Sequence, residues 1–84
     1  MNRKYVGKDN YGKPKSEYVA KVKAMTDAEL FKETENKIWL SAYANNNPRS
    51  DFHWHCDVLY DEWATREKLP QYSRAYENIR RQIS

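Results

Sequence analysis

The segment Met25-Thr26-Asp27-Ala28-Glu29-Leu30 constrains the fold more tightly than any other part of this chain. Thr26 stands where an N-cap accepts from the first free amides, and Glu29, three residues on, can return a bond to the Thr26 amide. Met25 and Leu30 occupy the two positions of a hydrophobic staple. Asp27 places a negative charge where the helix dipole favours one. The spacing predicts a helix over 27–44, with Phe31, Thr34, Ile38 and Ala42 on one face and Trp39 and Tyr43 on its flank.

The rest of the chain follows from that helix. Asn45-Asn46-Asn47-Pro48 ends it, because Asn tolerates the left-handed cap and the residue before proline avoids the helical region. Ser50 or Asp51 then caps a helix over 51–67, whose apolar line is Phe52, Cys56, Leu59 and Trp63. Pro70 suits the first turn of a last helix over 70–82, with Tyr72, Ala75, Tyr76, Ile79 and Ile83 on its apolar side and Arg80 and Arg81 in its final turn. Upstream, Gly7, Gly12 and Pro14 make the first fourteen residues a loop or a hairpin-like arm, after which Ser16 can cap a short helix over 17–24 carrying Tyr18, Val19 and Val22.

Short connections make consecutive helices antiparallel neighbours. The expected fold is all-α: a small three- to four-helix antiparallel hairpin or bundle over residues 16–84, preceded by a basic, irregular arm over residues 1–15, with no internal repeat. The expected core is Phe31, Ile38, Ala42, Phe52, Cys56, Leu59, Trp63, Tyr76 and Ile79.

Composition decides whether such a chain folds at all. About a third of its 84 residues are charged, which taken alone suggests disorder. Three Trp, seven Tyr and two Phe are too many large anchors for a disordered segment of this length. A domain this small buries only about 60% of the surface of its unfolded chain, so self-association would help it. The aromatics also exceed what one three-helix stripe covers, so some are expected at the surface. A single cysteine, Cys56, fits a reducing compartment, and no signal peptide or membrane-length apolar run is present, so the expected location is cytoplasmic.

No catalytic set can be assembled, and the chain is expected not to be an enzyme. His53 and His55 are two residues apart and diverge by about 200° around a helix. One Cys and two His do not supply the four ligands of a structural zinc site, so neither metal nor cofactor is expected. Cys56 falls on the apolar line and reads as a small hydrophobe, while His53 can pair with Asp57 one turn on. Asp57, Asp61 and Glu62 read as an exposed acidic face. Trp39 and Trp54 flank the Asn-rich corner and could stack across it.

Charge is the remaining signal. Residues 1–24 hold seven Lys and Arg against Asp9 and Glu17, whereas residues 25–84 are slightly acidic. A one-ended basic segment attracts anions, or it is a solvated tail. Tyr5, Tyr11 and Tyr18 interleave with its cations, and bases stack on aromatic rings while Lys and Arg hold phosphates. The candidate contact residues are Lys4, Lys8, Tyr11, Lys13 and Lys15 of the arm with Arg49 of the corner. The expected partner is a host protein or an anionic ligand, either a nucleotide or a nucleic acid.

From Met25 to about Tyr76 the chain resembles a group of small helical accessory proteins of tailed bacteriophages. The likeness rests on the Met25–Leu30 opening and on Ile38-Trp39-Leu40-Ser41-Ala42-Tyr43-Ala44-Asn45-Asn46-Asn47-Pro48-Arg49-Ser50-Asp51-Phe52-His53-Trp54. The resemblance implies a phage source, hence the host cytoplasm. Small phage proteins of this kind often act by stoichiometric binding to a host protein or to a defence component or signal, so the resemblance implies an anti-defence or host-takeover role, inhibiting by binding a host immune protein or a nucleotide signal. The alternative is a small nucleic-acid-binding protein that uses the arm.

Overall fold

The computed structural model describes residues 7–44, 46–47 and 50–83. The described residues form four helices: α1 Lys15–Lys23, α2 Asp27–Tyr43, α3 Asp51–Thr65 and α4 Leu69–Ile83. The fold is all-α. The arm contributes one antiparallel bridge, Lys8 to Pro14.

The capping box forms as its residues dictate. Thr26 Oγ1 accepts from the Glu29 amide at 3.2 Å, and Glu29 Oε1 accepts from the Thr26 amide at 2.8 Å. That second bond holds the Glu29 carboxyl below its ordinary range. Ser50 caps α3, its hydroxyl accepting from the Phe52 amide. At α1 the expectation fails. The helix starts at Lys15 with Pro14 in the cap position, so Ser16 lies inside it. The bridge at Pro14 delivers the chain in extended form to the first turn, and no side-chain cap is formed there.

Contacts between elements fix the directions. Arg66, at the end of α3, donates to the carbonyls of Val22 and Met25 around the end of α1, so α1 and α3 run the same way. Phe31, Glu35 and Trp39 of α2 meet Arg74, Asn78 and Gln82 of α4 in that order, so α2 and α4 also run together, opposite to α3. The result is an up-down-up-down arrangement in which α1 and α4 flank the α2–α3 pair.

Two apolar clusters fill it. Val22, Leu30, Val58, Leu59 and Trp63 join α1, α2 and α3, and Ile38, Ala75 and Ile79 join α2 and α4. Phe31 and Tyr72 touch both. Of the expected core, Ile38, Leu59, Trp63 and Ile79 are buried, while Phe31, Phe52 and Cys56 are half-buried. Ala42 and Tyr76 are exposed. Ala42 is too small to close the end of the α2–α4 seam, and a cleft of about 370 Å³ opens there, lined by Ser41, His53, Cys56, Tyr72 and Tyr76.

The buried Thr34, Trp63 and Glu62 side chains find polar partners inside the bundle. Trp63 Nε1 donates to Thr34 Oγ1 at 3.0 Å, and that hydroxyl donates to the Leu30 carbonyl at 2.6 Å. The buried Glu62 carboxylate accepts from Arg66 Nε at 2.8 Å, while Arg66 Nη1 reaches Asp27 at the same distance. Lys68 completes an ion pair with Asp27. These two cations, Lys68 first, hold the Asp27 carboxyl below the usual range. No helix among the described residues is long and apolar enough to cross a membrane.

Candidate functional site

The arm is built by Asp9. Its Oδ1 accepts from the amides of Tyr11 and Lys13, each at 2.9 Å, an arrangement that Asp side chains favour in turns. The Gly12 amide closes the turn on the Asp9 carbonyl, and Gly12 takes φ +81°, which only glycine adopts at no cost. Two more backbone bonds, Asp9 N–H to Lys13 and Lys15 N–H to Gly7, tie the two sides together. The Lys13 amide, more than any other group, keeps the Asp9 carboxyl low.

This turn sits on the α2–α3 corner. The Asn10 amide donates to both carboxylate oxygens of Asp51, at 3.2 and 3.3 Å. Asp51 Oδ1 also accepts from Trp54 Nε1 at 2.9 Å. Lys15 Nζ lies 5.1 Å over the Trp54 ring, a cation–π distance. Three features of the arm therefore converge on the first turn of α3: a backbone amide, a lysine and the chain direction set by Pro14. Lys8, Tyr11 and Lys13 remain exposed, Tyr11 at 86%. Of the sequence-predicted site residues, the structure brings Lys8, Tyr11, Lys13 and Lys15 to one edge of the corner. Lys4 and Arg49 lie outside the described residues, as does Tyr5.

His53 locks the corner itself. Its Nε2 is 2.8 Å from the Asn47 carbonyl, which can only accept, so that nitrogen carries the proton. Nδ1 then accepts from the Ser41 hydroxyl at 2.7 Å. The expected pairing of His53 with Asp57 is replaced by these bonds, because the ring turns inward across the α2–α3 connection. Cys56 lies beside Ser41 in the same cleft. Burial pushes its thiol up to about 11, which keeps it protonated and unreactive at neutral pH. Tyr72 is likewise pushed up to about 12 by burial.

On the other side of α3, beneath the arm, lies a ring cluster that the sequence did not announce. His55 stacks on Tyr18 with centroids 4.1 Å apart and meets Trp54 edge-on at 4.3 Å. Its Nδ1 is buried with no hydrogen-bond partner. Tyr18 donates its hydroxyl to Glu33 at 2.7 Å, and Lys37 Nζ reaches over both Tyr18 and Phe52. Burial, and the Glu33 carboxylate after it, hold the Tyr18 phenol protonated far above neutral pH. Trp54 thus faces α1 and the arm, while Trp39 stacks on Tyr43 of its own helix.

Among the described residues, no three His, Cys, Asp or Glu side chains group as metal ligands would. What the arrangement offers is a set of cations and an exposed ring on an arm whose backbone is bonded to Asp51 at the start of α3. The chain matches no protein-family model, no characterised protein and no solved structure.

Proposed function

We propose that this chain is a non-enzymatic accessory protein of the tailed-phage type, acting inside the host cell by stoichiometric binding of an anionic target. The target is an acidic face of a host immune protein or a nucleotide signal, and its contact surface is the arm with the corner. The phage part of the reading rests on the resemblance between Met25 and Tyr76. The binding part is supported by one observation: the Asn10 amide is anchored on the Asp51 carboxylate, so Lys8, Tyr11 and Lys13 stand on a built edge. A preordered contact edge loses less entropy on binding than a tail that must be fixed. Self-association would bring several such arms together and raise the local positive charge.

The chain interleaves rings with cations, and Tyr11 is the exposed ring between Lys8 and Lys13. That detail favours nucleic acid as the second reading. One experiment covers both. The full chain and a Lys8→Ala/Lys13→Ala/Lys15→Ala variant are immobilised and exposed to bacterial lysate, and the bound proteins and small molecules are identified. The parent is expected to retain a partner that the variant holds more than tenfold more weakly, at about 1 kcal/mol for each partly desolvated charge contact. Equal retention by both proteins sinks the assignment of the arm. A log-log fall in affinity with salt, carrying a slope of several counterions, identifies the partner as nucleic acid.

A further inference from the structure

On the face of the bundle formed by α2 and α4, two rails run side by side. Phe31, Trp39 and Tyr43 lie along α2 at spacings of eight and four residues, and Arg74 and Arg81 lie along α4, seven residues apart. Arg74 sits 6.0 Å over the Phe31 ring, so the rails touch at that end. At the other end Trp39 and Tyr43 are stacked, with centroids 5.2 Å apart and planes within 15°. Tyr43 is 82% exposed and Trp39 40% exposed. A cleft of about 440 Å³ lies at the Phe31–Arg74 end, where Lys32 adds a third cation, and one of about 430 Å³ lies between Trp39, Tyr43 and Gln82.

From this we infer that the α2–α4 face binds single-stranded nucleic acid: unpaired bases stack on Tyr43 and Trp39, and Arg74 and Arg81 hold the phosphates. Nearly parallel stacked rings leave an open ring face as the end of the stack. A planar heterocycle continues such a stack, whereas an aliphatic side chain covers it poorly. Gln82, in the same cleft, carries both a donor and an acceptor for a base edge. The arginines are about 10 Å apart along the helix axis, a span that their long, flexible side chains can match to phosphates one or two nucleotides apart on an extended strand. The acids beside them are engaged: Asp27 with Arg66 and Lys68, Glu35 with the Asn78 amide, and Glu77 with Arg80. Asp27 and Glu77 are thus balanced by cations, whereas Glu35, on the neutral Asn78 amide, keeps its charge and offsets only part of that of Lys32, Arg74 and Arg81, which leaves the rail positive. A duplex, whose bases are already stacked and paired, has no ring to offer.

This surface is separate from the arm, and its test is independent of it. Fluorescently labelled fifteen-residue oligothymidine, oligouridine and a DNA duplex are titrated at low salt with the parent chain, Tyr43→Ala, Arg74→Glu/Arg81→Glu and the arm triple variant. Melting curves confirm that each variant is folded. The parent is expected to bind a single strand, DNA or RNA, more tightly than duplex. Tyr43→Ala should weaken that binding by at least fivefold, the low end for one lost base stack. The arginine pair should weaken it further and flatten its salt dependence, and the arm variant should retain it. The inference is overturned if the parent shows no binding of either single strand up to about 0.1 mM, a concentration that captures even non-specific contacts. It is equally overturned if Tyr43→Ala binds like the parent, or if only the arm variant loses binding.

Discussion

At the scale of single residues, the chain Trp63–Thr34–Leu30 shows how this small core tolerates polar atoms. The indole N–H of a fully buried tryptophan is satisfied by one threonine hydroxyl, which in turn satisfies itself on its own helix. Thr34→Val keeps the volume and removes the acceptor. It should cost about 1–3 kcal/mol, because a buried donor is left without a partner. Trp63→Ala empties the largest fully buried site and should cost about 3–5 kcal/mol. In a Trp63→Phe background the donor is gone, so Thr34→Val should then cost clearly less. Denaturant melts of the four proteins measure this coupling, and simple additivity would mean that the indole bond carries no energy of its own. Glu62 is buried for a related reason. Its partner Arg66 stands four residues on and follows it into the interface. A carboxylate at that position reads in the sequence as an exposed face, because only the tertiary position of Arg66 makes its burial tolerable.

At the scale of elements, the helices whose signals are local were legible and those set by docking were not. Thr26 and Glu29 lie three residues apart, and the start of α2 followed from them, while its end followed within one residue from the Asn45-Asn46-Asn47-Pro48 stop. The face that α3 buries is different. Val58, Leu59, Glu62 and Trp63 are inside, whereas Phe52 and Cys56 are only half-covered. The short α1 packs on α3 from the side and rotates the buried face toward itself, which no periodicity within α3 reveals. The corner was readable as a corner, but the inward turn of His53 and the use of Asp51 as the seat of the arm join residues up to 41 positions apart. The end of α3 carries a testable strain. Lys68 N–H bonds the Trp63 carbonyl and Glu67 N–H bonds that of Ala64, which is the Schellman arrangement, and it places Glu67 at φ 59°. A residue with a Cβ loses about 1 kcal/mol in that conformation relative to glycine. Glu67→Gly should therefore raise stability by up to about 1 kcal/mol, less the extra chain entropy that glycine brings to the unfolded state. Thermal melts of the two proteins check the sign, and a lower melting temperature for Glu67→Gly would refute the strain.

At the scale of the whole molecule, His55 is where the arm, α1, α2 and α3 all bear on one titratable group. Its ring lies between Tyr18 of α1 and Trp54 of α3, its Nδ1 is buried without a partner, and Lys37 of α2 adds a like charge nearby. Burial first and Lys37 second push it from 6.5 down to about 4, against the opposing pull of Asp51, Glu33 and Asp9. The folded state therefore binds its proton less readily than the unfolded chain. Above pH 6.5 neither state is protonated there, and the fold has its full stability. As pH falls from 6.5 toward 4 the unfolded chain takes up a proton that the fold refuses, so stability is lost across that window. Asp9, Asp27 and Glu29, all held below their ordinary values, add their own loss as pH falls through the carboxylate range. His55→Phe separates the two contributions. It keeps a ring against Tyr18, removes the unpartnered nitrogen and abolishes the titration, while leaving the carboxylates in place. The parent's melting temperature should fall between pH 7 and about pH 5, where the carboxylates are still mostly ionised and His55 dominates. The His55→Phe protein should hold nearly constant over that interval and decline only below it. If the two curves run parallel from pH 7 to pH 5, the ring cluster beneath the arm is open to water. The docking of the arm over α3 must then be looser than its bonds to Asp51 and Trp54 require.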